Sequence, residues 1–131
     1  MNRTAIIDTK SATIWVDDEK IVHMRMKEDG KVDLEEIKIH FDIYKKLGCN
    51  SKETLHLFEG GVFFSFNEEA MKYASKHLKD YFIASAIVNN SLAVKLLVDI
   101  YNKFFNNTFK FRSFNKKSEA LDWLKTLKRE K

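Results

Sequence analysis

Residues 82–88 (FIASAIV) are apolar without a break, apart from one serine, and they stop at a polar Asn-Asn-Ser run. A half-wet strand alternates in polarity, whereas a strand covered on both faces does not need to. This stretch therefore reads as a strand buried on both sides, as in a parallel sheet with helices over its faces. Asn89-Asn90-Ser91 ends the strand and supplies a cap for a helix, LAVKLLVDIYNKFF. The apolar arc of that helix is wide: Leu92, Leu96, Leu97, Ile100, Tyr101 and Phe104. It is expected to be the most buried helix, coiled against FIASAIV.

The flanking segments fit the same architecture. Residues 4–8 and 12–16 are short β-branched runs. Residues 20–26 alternate, with Val22, Met24 and Met26 on one side and Ile21, His23 and Arg25 on the other. Asp17-Asp18-Glu19 is a turn of hairpin length, so the sheet is expected to begin antiparallel. Residues 27–32 read as a loop. Asp33, with Glu36 three residues on, predicts a capping box for a helix whose stripe is Leu34, Ile37, Phe41 and Tyr44, widened by Ile43 and Leu47 and stopped by Gly48. Residues 53–58 predict a strand, and EGGVFFSF a loop with an apolar tip. A second helix follows Asn67, with Met71, Ala74 and Leu78 stacked. Residues 108–114 alternate as an edge strand does, and Asn115 is placed to cap a last helix bearing Leu121, Leu124 and Leu127. The order is βββαβαβαβα, an α/β mixed sheet with a parallel centre and flanking helices. The parallel strands are those at 20–26, 53–58, 82–88 and 108–114.

The 131 residues fit one domain spanning 1–131, able to bury roughly two-thirds of its unfolded surface. Eleven Phe, 4 Tyr and 2 Trp disfavour disorder. The net charge of +4 is too small and too scattered to argue for nucleic acid. No apolar run approaches the ~20 residues needed to cross a bilayer. The start lacks a signal-peptide core, and a cytoplasmic location is expected.

Chemistry-bearing residues are sparse. His23, His40, His56 and His77 fall on four separate elements, and Cys49 is the single cysteine. No metal-ligand spacing, phosphate-binding loop or nucleophile motif is present, so no catalytic, metal or cofactor site is assigned. Ser65 with Glu68 three residues on reads as a cap rather than a nucleophile. Gly60-Gly61 reads as a turn. The acids Asp17-Asp18 and Glu35-Glu36 sit where turns and first helical turns favour acids. Basic residues gather late, at Lys103, Lys110, Arg112, Lys116, Lys117, Lys125, Lys128 and Arg129; a solvated face is the plain reading and an anionic partner or membrane headgroup the sharper one. The tip Val62-Phe63-Phe64-Ser65-Phe66 is either a partner surface or core tucked under the second helix.

Three stretches carry a resemblance: TIWVDDEKIVHMRM, AIVNNSLAVKLLVDIYNKFF and FKFRSFNKKSEALDWL. With the order of elements, they make the chain similar to SpoIIAA-like members of the STAS superfamily, the anti-sigma-factor-antagonist fold, which also resembles CRAL-TRIO lipid-binding domains. The likeness is greatest to a group of uncharacterised small proteins of Bacteroidetes-type bacteria. In classical members a serine within Asp-Ser-Ser-Gly, at the start of a helix, is phosphorylated by a partner kinase. The corresponding stretch here is Phe64-Ser65-Phe66-Asn67-Glu68, without the preceding Asp or following Gly. The resemblance implies a non-enzymatic, partner-switching-like protein-interaction module, with Ser65 as candidate phosphorylation or interaction site. Val62, Phe63, Phe64 and Phe66 are its candidate contact residues. The alternative is a binder of a small lipid or other apolar ligand. Topology places a ligand rim beyond the carboxyl ends of the strands, at Glu28, Asp29, Glu59, Gly60, Gly61, Ser65, Asn67, Asn89, Asn90, Ser91 and Asn115. A protein partner is expected, and a homodimer is compatible with an apolar tip and edge strands.

Overall fold

The structure, a computed structural model, describes residues 6–60, 64–89, 91–105 and 109–129, excepting the side chains at 93, 97, 100, 101, 103–105 and 129. In chain order the elements are β1 (Ile7–Asp8), β2 (Ala12–Val16), β3 (Ile21–Met26), β4 (Gly30–Val32), α1 (Leu34–Lys46), β5 (Leu55–Glu59), β6 (Phe64–Phe66), α2 (Glu68–Tyr81), β7 (Ala84–Val88), α3 (Leu92–Phe105), β8 (Lys110–Phe114) and α4 (Lys117–Arg129). Six strands form one sheet in the order β1-β2-β3-β5-β7-β8. The first three are antiparallel, and β3, β5, β7 and β8 run parallel. The parallel centre is thus built from the four strands expected.

Local chemistry sets the elements. Between β2 and β3 the Asp17 carboxylate accepts from the Glu19 N–H (2.8 Å) and the Ile21 N–H (3.1 Å), while Lys20 takes a left-handed φ of 64°. That register pairs Ile14 with Met24 and Trp15 with His23. Asp33 caps α1 by accepting from the Glu36 N–H at 2.8 Å. Ile37, Phe41 and Tyr44 are then buried from the expected stripe, each burial worth roughly 1.5–3 kcal/mol. Gly48 follows the helix with φ 78°, a left-handed conformation.

The core has two layers, one on each side of the sheet. Ile14, Val22, Met24, Phe58 and Phe109 share one cluster with Ile37, Phe41 and Tyr44 of α1, and α2 packs on α1. On the other side Ile21, Leu55, Leu57, Ala84 and Ala86 lie under Ala120, Leu124 and Leu127 of α4.

Several expectations are corrected. Residues 27–32 are not all loop, and EGGVFFSF is not all loop either: β4 and β6 pair in parallel as a second, two-stranded sheet. Three-residue strands give too little alternation to be read from sequence. Among the described residues the first strand covers Ile7–Asp8, and Thr4 and Ala5 of the expected strand lie outside them. On α2 the buried residue is Ala70, and Met71 is 39% exposed. The helix on FIASAIV is α4, whereas α3 lies against the outer strand β8. A helix over an edge strand overhangs the sheet, so Leu92 and Leu96 are exposed, while Val98 is buried. β7 is flanked on both sides by parallel strands, but it is one strand in from the edge rather than at the middle. Asn115 does not cap α4; the Lys116 carbonyl accepts the first helical bond, from Ala120.

Candidate functional site

The rim at the carboxyl ends of the parallel strands is organised by Asn89. Its backbone N–H donates to the Phe114 carbonyl at 3.0 Å, reaching the end of β8. Its side-chain amide donates to the Gly60 carbonyl at 2.8 Å, reaching the end of β5, and its side-chain oxygen accepts from the Ser91 N–H at 2.6 Å. Asn89 is buried, and a buried amide needs such partners. Ser91 then opens α3, its carbonyl accepting from Lys95 and its hydroxyl from Val94. One residue, through its backbone and its side chain together, therefore ties three strand ends to the start of a helix. Asn89 thus brings Gly60, at the end of β5 beside Glu59, close to Ser91, while Gly61 and Asn90 lie outside the described residues.

Next to this rim sits the β4–β6 ribbon. Phe64 and Phe66 are half-buried, their rings 5.5 and 5.8 Å from that of Phe58. An added Cβ on Gly60 would come within 2.4 Å of the Phe64 ring, so a side chain there would displace it. The expected apolar tip is thus core packing at these two positions; Val62 and Phe63 lie outside the described residues. Ser65 is exposed and in register with Lys31 of β4. It is not the cap of α2. Asn67 is, accepting from the Ala70 N–H at 2.9 Å, because strand alternation aims Ser65 outward.

Two buried polar clusters were not legible in the sequence. In the first, Ser11 donates its hydroxyl to Glu36 at 2.5 Å and meets His40 Nε2 at 2.9 Å, with Glu36 and His40 3.3 Å apart. The capping box is therefore half formed: Glu36 turns inward to Ser11 instead of back to Asp33. A neutral His40 carrying its proton on Nε2 satisfies this geometry, since the Ser11 oxygen can accept from it. Burial pushes the Glu36 carboxyl up, but hydrogen bonds from Ser11 and Thr9 outweigh it and hold the group below its ordinary value. Burial pulls His40 down against the opposing pull of Glu36. Serine, histidine and an acid are present, yet this is not a nucleophile relay. Acid and hydroxyl both approach Nε2, Nδ1 has no hydrogen-bond partner, and Ser11 is fully buried. Glu36 also lines an open groove of about 270 Å³ with Asp8, Thr9, Lys10, Glu35, Ile39 and Ile43. An open, acid-rimmed groove is not the enclosed apolar cavity that a lipid needs.

In the second cluster, His56 lies between Tyr44 Oη (3.2 Å) and Ser85 Oγ (2.7 Å). Burial drops the His56 pKa to about 3, with His40 and His23 adding to the effect. His56 is a neutral structural group inside the core. Burial also pushes the Cys49 thiol up to about 11, so it is a poor nucleophile at neutral pH. Among the described residues no three His, Cys, Asp or Glu side chains are arranged to hold a metal, and no helix is long and apolar enough to cross a membrane.

Residues 14–128 match the family model described as a domain of unknown function, DUF7793. No curated protein matches the chain. Among solved structures the chain is similar to an uncharacterized protein of the DUF3478 family with a SpoIIAA-like fold from Shewanella loihica PV-4. The two share 20% identity at a TM-score of 0.61, over 95% of this chain and 97% of that one. At that identity the likeness bears on fold, and it agrees with the mixed, mostly parallel sheet.

Proposed function

The chain belongs to the DUF7793 family and has a SpoIIAA-like fold, and on that premise we propose that it is a non-enzymatic protein-interaction module of the cytoplasm. The observation that carries this reading is the surface beside the rim. α3 leaves the Asn89 junction and holds Leu92 (70% exposed) and Leu96 (53% exposed) in solvent, four residues apart on one helical face. Exposed large apolar side chains grouped on one face are the usual mark of a partner surface. Ser65 supports a regulated version of the same module. It is exposed and paired in register with Lys31, so a phosphate there would meet a cation rather than a carboxylate. The partner is another protein or a second copy of this chain.

The test is a Leu92→Ser/Leu96→Ser variant. Tagged wild type and variant are purified from the source cell after mild crosslinking, and bound proteins are identified by mass spectrometry, which also reads any phosphate on Ser65. The variant is expected to lose its main partner while keeping its thermal midpoint, because both side chains are already in water. A folded variant that retains every partner overturns the reading.

A further inference from the structure

α4 covers β5, β7 and β8 on its side of the sheet, and α1 and α2 belong to the opposite side. At the β2–β3 end of that side α4 buries Ile21 and brings Lys117 over Trp15, while Trp15 stays half-buried and Arg25 exposed. That half-face carries Thr13 and Trp15 from β2 and His23 and Arg25 from β3. Trp15 is only half-buried and stacks flat on His23, centroids 5.0 Å apart and planes 8° apart. Two cations stand over the indole: the Arg25 guanidinium at 5.3 Å and the Lys117 ammonium at 5.9 Å. Both share one carboxylate, Glu59, at 3.6 and 3.1 Å respectively.

At the Arg25 end of the row two cations face one carboxylate, Glu59, while at the other end Asp17 is held by His23 Nε2 at 2.9 Å. The Arg25 side chain is 58% exposed, and its contact with Glu59 is too long to be a good hydrogen bond, so most of its five N–H donors face water. Cation–π attraction holds both cations over the ring, which lowers the entropy lost when they engage a ligand. An aromatic plate framed by two positioned cations suits a carboxylate next to an apolar side chain. The carboxylate takes the Arg25 fork in charge-assisted bonds, and the apolar neighbour lies on Trp15. A nucleic acid needs a longer run of cations than this.

We infer that the exposed end of this half-face, centred on Trp15, Arg25 and Lys117, is a docking surface for an acidic protein segment. It is separate from the α3 surface, and either can fail without the other.

The probe is a fluorescein-labelled 12-residue peptide of alternating Glu and Leu, followed by anisotropy against the full chain. Arg25→Glu is expected to weaken binding about tenfold or more, as is usual for the loss of a charge-assisted contact. Lys45→Glu, the same charge change on exposed α1, is expected to alter it less than about twofold. Glu59→Gln removes the carboxylate that competes for both cations and is expected to tighten binding about threefold or more. A purely structural Glu59–Lys117 tie would not give that gain. If Arg25→Glu unfolds by circular dichroism, Arg25→Gln replaces it, with a smaller loss expected in the same direction. The inference is overturned if the peptide fails to bind, if Lys45→Glu weakens it equally, or if Glu59→Gln gives no gain. It is also overturned if a 12-nucleotide single strand binds the patch as tightly at the same salt.

Discussion

Ser11 and Glu36, 25 positions apart, are joined by a 2.5 Å hydrogen bond inside the protein, with both side chains shut away from water. Ser11 lies just before β2 and Glu36 in the first turn of α1, so the contact clamps the antiparallel end of the sheet to that helix.

Because Glu36 stays ionised there, removing its donor is costly. Ser11→Ala is expected to lose about 2–3 kcal/mol, since a buried carboxylate is left short of a partner. Glu36→Gln should cost less, as its neutral amide keeps the shape with little desolvation. Urea unfolding of the two variants checks the order. A Ser11→Ala protein as stable as wild type would mean that the carboxylate is reached by water.

His56 makes stability depend on pH. Its folded pKa is about 3 against an ordinary 6.5. Above pH 6.5 neither state holds the proton. Below it the unfolded chain takes a proton that the folded chain refuses, so stability falls from pH 6.5 toward 3, by up to about 1.4 kcal/mol per pH unit. His40, also held low by burial, acts in the same direction. Urea midpoints at pH 7.5, 6.5, 5.5 and 5.0 should decline below 6.5, with a shallower decline in His56→Gln. An equal slope in that variant would assign the effect elsewhere.

The parallel centre was legible because FIASAIV breaks the alternation that a wet strand must show, and because Asp33, Asn67 and Gly48 sit where capping chemistry needs them. The buried clusters were not legible. Glu36 already had a local explanation as an acid in a first helical turn, and nothing in its spacing revealed that β1 and β2 fold over it. The exposure of Leu92 and Leu96 was missed for a related reason. Apolar periodicity reports which helix face can be buried, but how much is buried depends on the sheet beneath, and α3 rests on an edge strand. The β4–β6 ribbon escaped notice because its register comes from tertiary packing on Phe58, not from a pattern of its own.

Gly48 separates backbone strain from packing. With φ 78° and open space where a Cβ would stand, Gly48→Ala meets no neighbour but forces alanine into the left-handed region. The expected cost is about 1 kcal/mol, and Gly48→Asn should recover much of it, because asparagine tolerates that region. Thermal midpoints of the three proteins check this, and a neutral alanine variant would place the helix end in another conformation.

Phe66 and Ser65 are neighbours with opposite fates, and together they test what the apolar tip is for. Phe66 packs on Phe58 and belongs to the α1–α2 layer, while Ser65 projects from the other side of the same short strand. Phe66→Ser is expected to cost about 2–3 kcal/mol, the apolar area that it returns to water plus the cavity it leaves. Ser65→Asp should change stability by less than about 0.5 kcal/mol, with Lys31 opposite to offset the added charge. If partner capture changes in Ser65→Asp while stability does not, the outer side of β6 belongs to the interaction surface. A Phe66→Ser protein of unchanged stability would mean instead that the ribbon is not anchored on Phe58, and that its phenylalanines are free to meet a partner.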